Sequence, residues 1–156
     1  MTSKQDFTDE EWARIRRAPL VAGVAISLAD PGGPIEVAKE SMATLRSATL
    51  PPSQEELLAS VALDVQALAQ HRQNPLGDFR PRGGQQVLEE LRAVNELVTA
   101  KATPEEVEAF RRWLLAAAQA AADAGKEGGF MGFGAERVSA GEKQMLDQVR
   151  SVLGMT

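Results

Sequence analysis

Apolar residues recur along most of this chain at spacings of three and four, the period of helices that pack by one face. Val87, Leu91, Val94 and Val98 do so over Gln85 to Thr99, which predicts a buried face of about four turns. Leu57, Val61, Val65 and Leu68 set a stripe on a helix from Gln54 to His71, and Ile35, Ala38, Met42 and Leu45 set another on Ile35 to Ala48. In the first helix Trp12 and Ile15 share a face. Pro19 then kinks or restarts that helix, because proline lacks an amide hydrogen and disfavours helix at Ala18. It continues through Val21, Val24, Ala25 and Leu28 to the turn Ala29-Asp30-Pro31-Gly32-Gly33-Pro34. The longest helix, Pro104 to Ala124, turns Val107, Phe110 and Leu114 inward; residues 116 to 122 are alanine except for Gln119, so neighbours can approach its backbone closely. A last helix faces Met145, Val149, Val152 and Leu153 inward and ends at Gly154.

The helix starts are marked as well. Thr8 with Glu11, Ser53 with Glu56, Thr103 with Glu106 and Ser139 with Glu142 each read as a capping box, in which hydroxyl and carboxylate satisfy otherwise unpaired backbone amides. Pro104 adds the proline favoured at a first helical position, and Pro51-Pro52 stops the preceding helix. Arg72 to Gly84 is a loop rich in proline, glycine and arginine, where the most mobility is expected. Strand signals are nearly absent: tyrosine is missing and aromatics are 4%. The expected fold is all-α, a single-domain bundle of five to seven helices spanning 1–156, with 1–7 a disordered tail and a glycine-rich loop before the C-terminal helix. Ala29-Asp30-Pro31-Gly32 and Ala122-Asp123-Ala124-Gly125 each close an alanine-containing helix, a hint of internal duplication.

At 156 residues the chain fits one domain. It has no cysteine, which excludes disulfides, thiolate metal sites and cysteine nucleophiles, and one histidine, which excludes polyhistidine metal sites. Net charge is −5, which gives no overall pull toward nucleic acid. No apolar run approaches the ~20 residues of a membrane span, and Met1 to Asp6 lacks the apolar core of a signal peptide, so a cytoplasmic location is expected.

Candidate chemistry centres on Lys126, Glu127, Gly128, Gly129, Phe130, Met131, Gly132, Phe133 and Gly134, where four glycines and two of five phenylalanines interrupt the helical pattern. Glycine opens positive-φ backbone, and the aromatics give a loop something to bury, so we expect a folded connector whose surface, over 126–137, serves a partner or a ligand. It is not a P-loop, since it follows a helix and its lysine precedes the glycines. Asp123, Glu127, Glu136 and Glu142, with Asp30, Glu36 and Glu40, offer oxygen ligands for a hard cation such as Ca²⁺ or Mg²⁺, although no EF-hand spacing is present. Asp30, Asp123 and Glu142 are the candidate metal set. Glu142 falls on the inward arc of its helix, and as third residue of a capping box it also curls back toward the Ser139 amide. Asp64 sits at the rim of the Leu57–Leu68 stripe, where water or an arginine can meet it. His71 ends a helix, and Arg72, Arg80 and Arg82 with Phe79 form a small basic loop, read as solvated rather than RNA-binding. No Gly-x-Ser-x-Gly elbow is present, and no catalytic residue is assigned.

Ala121-Ala122-Asp123-Ala124-Gly125 followed by Val138-Ser139-Ala140-Gly141-Glu142-Lys143-Gln144-Met145-Leu146 loosely resembles the tellurite-resistance TerB-like helical families. These carry an alanine-rich helix, an Asp-Gly turn and an aliphatic-Ser-x-x-Glu helix start; Val21 to Met42 echoes the pattern more weakly. The resemblance implies an all-helical domain with acidic, sometimes metal-binding turns, engaged in stress responses and partner complexes rather than catalysis. The chain departs from it by eleven extra residues from Lys126 to Glu136. Lys126 to Gly134 with the Ser139 helix is also similar to an uncharacterised bacterial helical family. The expected function is therefore a non-enzymatic interaction or stress-response module, acting on a protein partner or by self-association, without nucleic acid or a membrane span. A metal-dependent sensor or enzyme using the inward acids is the alternative, and a binder of an apolar small molecule between helices is a third reading.

Overall fold

The run from Ala18 to Leu28 contains no charged residue, and a helix that is apolar on every side is stable only when surrounded. In a computed structural model, which describes residues 2–29, 34–126 and 139–155, that run is the second half of α1 (Asp9–Ala29). The other helices are α2 (Pro34–Ala48), α3 (Glu56–Gln70), α4 (Gly84–Lys101), α5 (Pro104–Lys126) and α6 (Ala140–Val152), and no strand occurs among the described residues. All five pack on α1, most extensively α5, α4 and α2. The fold is thus an all-α bundle around a central helix, which passes uninterrupted through the buried Pro19.

Helix boundaries follow local chemistry closely. Thr8, Thr103 and Ser139 each accept the amide of the glutamate three residues on, at 3.1–3.2 Å, while that glutamate accepts the amide of the capping residue at 2.9–3.1 Å. At the far end, Gly154 adopts φ +72, and Gly154 and Met155 donate to the Ser151 and Arg150 carbonyls in a Schellman turn. The Ser53–Glu56 box does not form. Helix α3 begins at Glu56 with Glu55 at the N-cap, so Ser53 lies two residues too early to reach the third helical amide and meets only the Glu55 amide, at 3.5 Å.

Two further expectations are corrected. Within the segment read as a disordered tail, Thr2 to Phe7 are folded: Lys4–Asp6 forms a 3₁₀ turn, and Thr2 and Phe7 are buried. Thr2 donates from its backbone amide (3.1 Å) and hydroxyl (2.7 Å) to the buried Glu106 carboxylate, and Lys101 donates to the Asp6 carbonyl at 2.7 Å. The second correction concerns α2. Its buried positions are Glu40, Thr44 and Ala48, spaced by four, whereas Ile35 and Met42 are 73% and 66% exposed, Ala38 is exposed and Leu45 is only half-buried. The physical reason is space. Helix α2 packs on α1 at Gly23, where an added Cβ would lie 2.2 Å from Thr44 Oγ1, and on α5, whose Ala117, Ala118, Ala121 and Ala122 are buried. Close approach selects small residues, so the large apolar ones are turned outward.

Candidate functional site

The sequence-predicted site divides into parts that the fold places and parts that it does not. Asp30 and Glu127 to Gly134 lie outside the described residues; Lys126 is the last residue of α5. Asp123 is exposed on α5 and accepts the Gln119 Nε2 at 3.0 Å. Glu142 is 1% exposed, and both readings of it hold together: the Ser139 amide donates to its Oε1 at 3.1 Å, a geometry that also turns the carboxylate inward. Of the other acids, Glu36 is exposed, while Glu40 is buried and accepts the Ser27 hydroxyl. Among the described residues, no group of three or more His, Cys, Asp or Glu side chains is placed to hold a metal ion.

Asp64 is a rim residue, held by a partner the sequence did not suggest. It accepts the Trp12 indole Nε1 at 2.7 Å and Lys4 Nζ at 3.1 Å. Burial pushes its carboxyl up, but these donors outweigh burial and hold it below the ordinary carboxylate value. The basic loop is likewise engaged internally. His71 is the C-cap of α3, and Phe79 lies under the Arg17 guanidinium, 5.0 Å from ring centre to Cζ. Arg17 and Arg14 both reach Glu90, at 3.4 and 2.8 Å, while Arg80 donates to the Gly77 and Phe79 carbonyls. The aromatic that a nucleobase would need is thus stacked on a side chain of α1.

What the fold does present is an apolar surface on α2 and α3. Ile35, Ala38 and Met42 form an exposed row, because residues three and four apart share a helix face. Across a groove of about 330 Å³ lined by Met42, Leu45, Arg46 and Thr49 and by Gln66, Ala69 and Gln70 lies the exposed face of α3, where Leu63 stands one turn before Gln66 and is 64% exposed. Leu50, just beyond α2, is 66% exposed. Scattered exposed leucines are ordinary, but here Ile35 and Met42 lie on one face beside a groove. Sequence periodicity set Ile35, Ala38 and Met42 on one helix face; no sequence signal distinguishes an apolar stripe that faces a neighbour from one that faces a partner. On the other side of Leu45, α2 borders a second, more enclosed cavity of about 260 Å³, shared with α1 and the Asn74–Leu76 turn. Compared with family models, curated proteins and solved structures, the chain matches none. No helix among the described residues is long and apolar enough to cross a membrane.

Proposed function

We propose that this protein is a non-enzymatic interaction module that acts by self-association through the outward face of α2. The observation that carries the reading is the exposure of Ile35 and Met42, with Leu50 and Leu63 beside them, in a chain whose other aliphatic stripes are buried. Area supports a second copy as the occupant. Four such side chains offer roughly 100 Å² each, close to the apolar share of an interface that buries about 800 Å² per partner. The resemblance of the Ala121–Leu146 region to TerB-like domains, with its implication of partner complexes, points the same way. This reading adds α2 to the 126–137 loop, which from Glu127 onward lies outside the described residues.

Sedimentation velocity tests this. The wild-type chain is expected to dimerise at micromolar concentration, and Met42→Glu to leave a monomer that still unfolds cooperatively, because the side chain is in water in the isolated chain. A wild type that stays monomeric at the highest soluble concentration, or a dimer indifferent to Met42→Glu, overturns the proposal.

A further inference from the structure

Protein interiors leave few voids larger than a water molecule, and those that stay dry and apolar accept ligands; about 150 Å³ suffices for benzene. The cavity between α1, α2 and the Asn74–Leu76 turn has a volume of about 260 Å³ and is half enclosed. It is no packing accident. The contact of Thr44 on Gly23 fixes how closely α1 and α2 approach, and the space opens beside that contact, with Gly23 and Thr44 themselves in its wall.

Its walls sort into two kinds. Leu20, Val24, Leu45 and Leu76 supply an apolar body. Ser27, Thr44 and Asn74 supply polar atoms whose hydrogen-bonding state is fixed by the protein, and Ser41 adds a hydroxyl that can serve either way. The Ser27 hydroxyl donates to a Glu40 carboxylate oxygen, and the Thr44 hydroxyl donates to the Glu40 carbonyl at 2.7 Å. Each hydroxyl has only one proton, so what remains to a ligand is oxygen lone pairs. Asn74 is set the opposite way. Its Oδ1 accepts the Leu76 amide at 3.0 Å, leaving the Nδ2 hydrogens to donate. A ligand group that fits both must donate and accept, which a hydroxyl does and a carboxylate does not; a carboxylate would also face the Ser27 oxygen, whose proton is already given to the Glu40 carboxylate.

We propose that this cavity is a binding site for a small neutral molecule with an apolar body and one hydroxyl, a medium-chain alcohol in chemical class. The cavity holds the volume of roughly nine waters, which limits the apolar body to a short chain or a single ring. This site adjoins the self-association groove, with Leu45 in the wall of both, but it is built on the Gly23–Thr44 contact and is tested apart from that groove.

The test uses the full chain, labelled with nitrogen-15, titrated with 1-octanol and with octanoate. Saturable shifts at the Gly23, Ser27, Thr44 and Leu76 amides are expected with 1-octanol, and affinity about tenfold or more weaker with octanoate. Val24→Phe fills the apolar body and should abolish binding while the spectrum stays dispersed; Leu76→Trp, in the turn, does the same should Val24→Phe fail to fold. Met42→Glu, which breaks the proposed dimer, should leave octanol binding unchanged. Absence of saturable shifts, shifts confined to the Ile35–Met42 face, or undiminished binding in the folded cavity-filling variant each overturn the site. Equal affinity for octanoate overturns the hydroxyl assignment.

Discussion

Glu106 is buried and ties together three stretches of chain. Its carboxylate accepts the Thr2 amide and hydroxyl and the Thr103 amide, while its own amide donates to Thr103. Burial alone would raise the acid, but donors from Thr2 and Thr103 outweigh it and hold Glu106 below the ordinary carboxylate value. Glu106→Ala removes the cap and leaves the Thr2 and Thr103 amides unsatisfied, so we expect a loss of about 2 kcal/mol in denaturant unfolding. A pH dependence follows. Since the folded chain binds the Glu106 proton less readily than the unfolded chain, its contribution is complete above the ordinary carboxylate value and is lost as pH falls through the depressed folded value. Asp64 adds to the same acid limb. Unfolding free energy should therefore be flat near neutrality and fall in acid, and Glu106→Gln should have a shallower fall; equal acid slopes in both proteins would refute the assignment.

At the scale of the element, α2 is the helix on which sequence and structure part. Its boundaries were readable, since Pro34 starts it and the chain turns before Pro51-Pro52, yet its orientation was not. Periodicity reports which residues share a face, and Ile35, Ala38, Met42 and Leu45 do; it does not report which face finds a neighbour. That was decided on the facing helix by Gly23, whose hydrogen side leaves room for Thr44. Gly23→Ala places a methyl inside the contact radius of a side chain held by its bond to the Glu40 carbonyl. Overpacking of this kind costs about 1–3 kcal/mol, measurable as a lowered denaturation midpoint, and α2 should lose amide exchange protection before α4 does. In α4, by contrast, Val87, Leu91, Val94 and Val98 were read as core and are core, because no competing small-residue face exists on that helix.

Over the whole molecule, the N-terminal residues act as a strap across α3, α4 and α5. Lys4 reaches Asp64, Lys101 reaches the Asp6 carbonyl and lies 5.3 Å from the Phe7 ring centre, and Thr2 ends on Glu106. Deleting residues 1–7 strips a buried phenylalanine and these donors, and should destabilise the fold by roughly 3–5 kcal/mol in equilibrium denaturation; a truncated chain of unaltered stability would mean the strap contributes nothing. The strap was missed because its residues are polar and lack periodicity, and their partners lie about a hundred positions away. What the sequence by itself determined is local: the helical class, three of four capping boxes, the terminal glycine turn and the buried stripes of α3, α4, α5 and α6. These depend on contacts within a few residues and on a period that any neighbour reads alike. Only the tertiary structure decided that α1 is central, that α2 turns its aliphatics to water, and that a cavity opens beside Gly23. Each of these depends on how closely two helices distant in sequence approach, a distance set by the smallest side chains at their crossing.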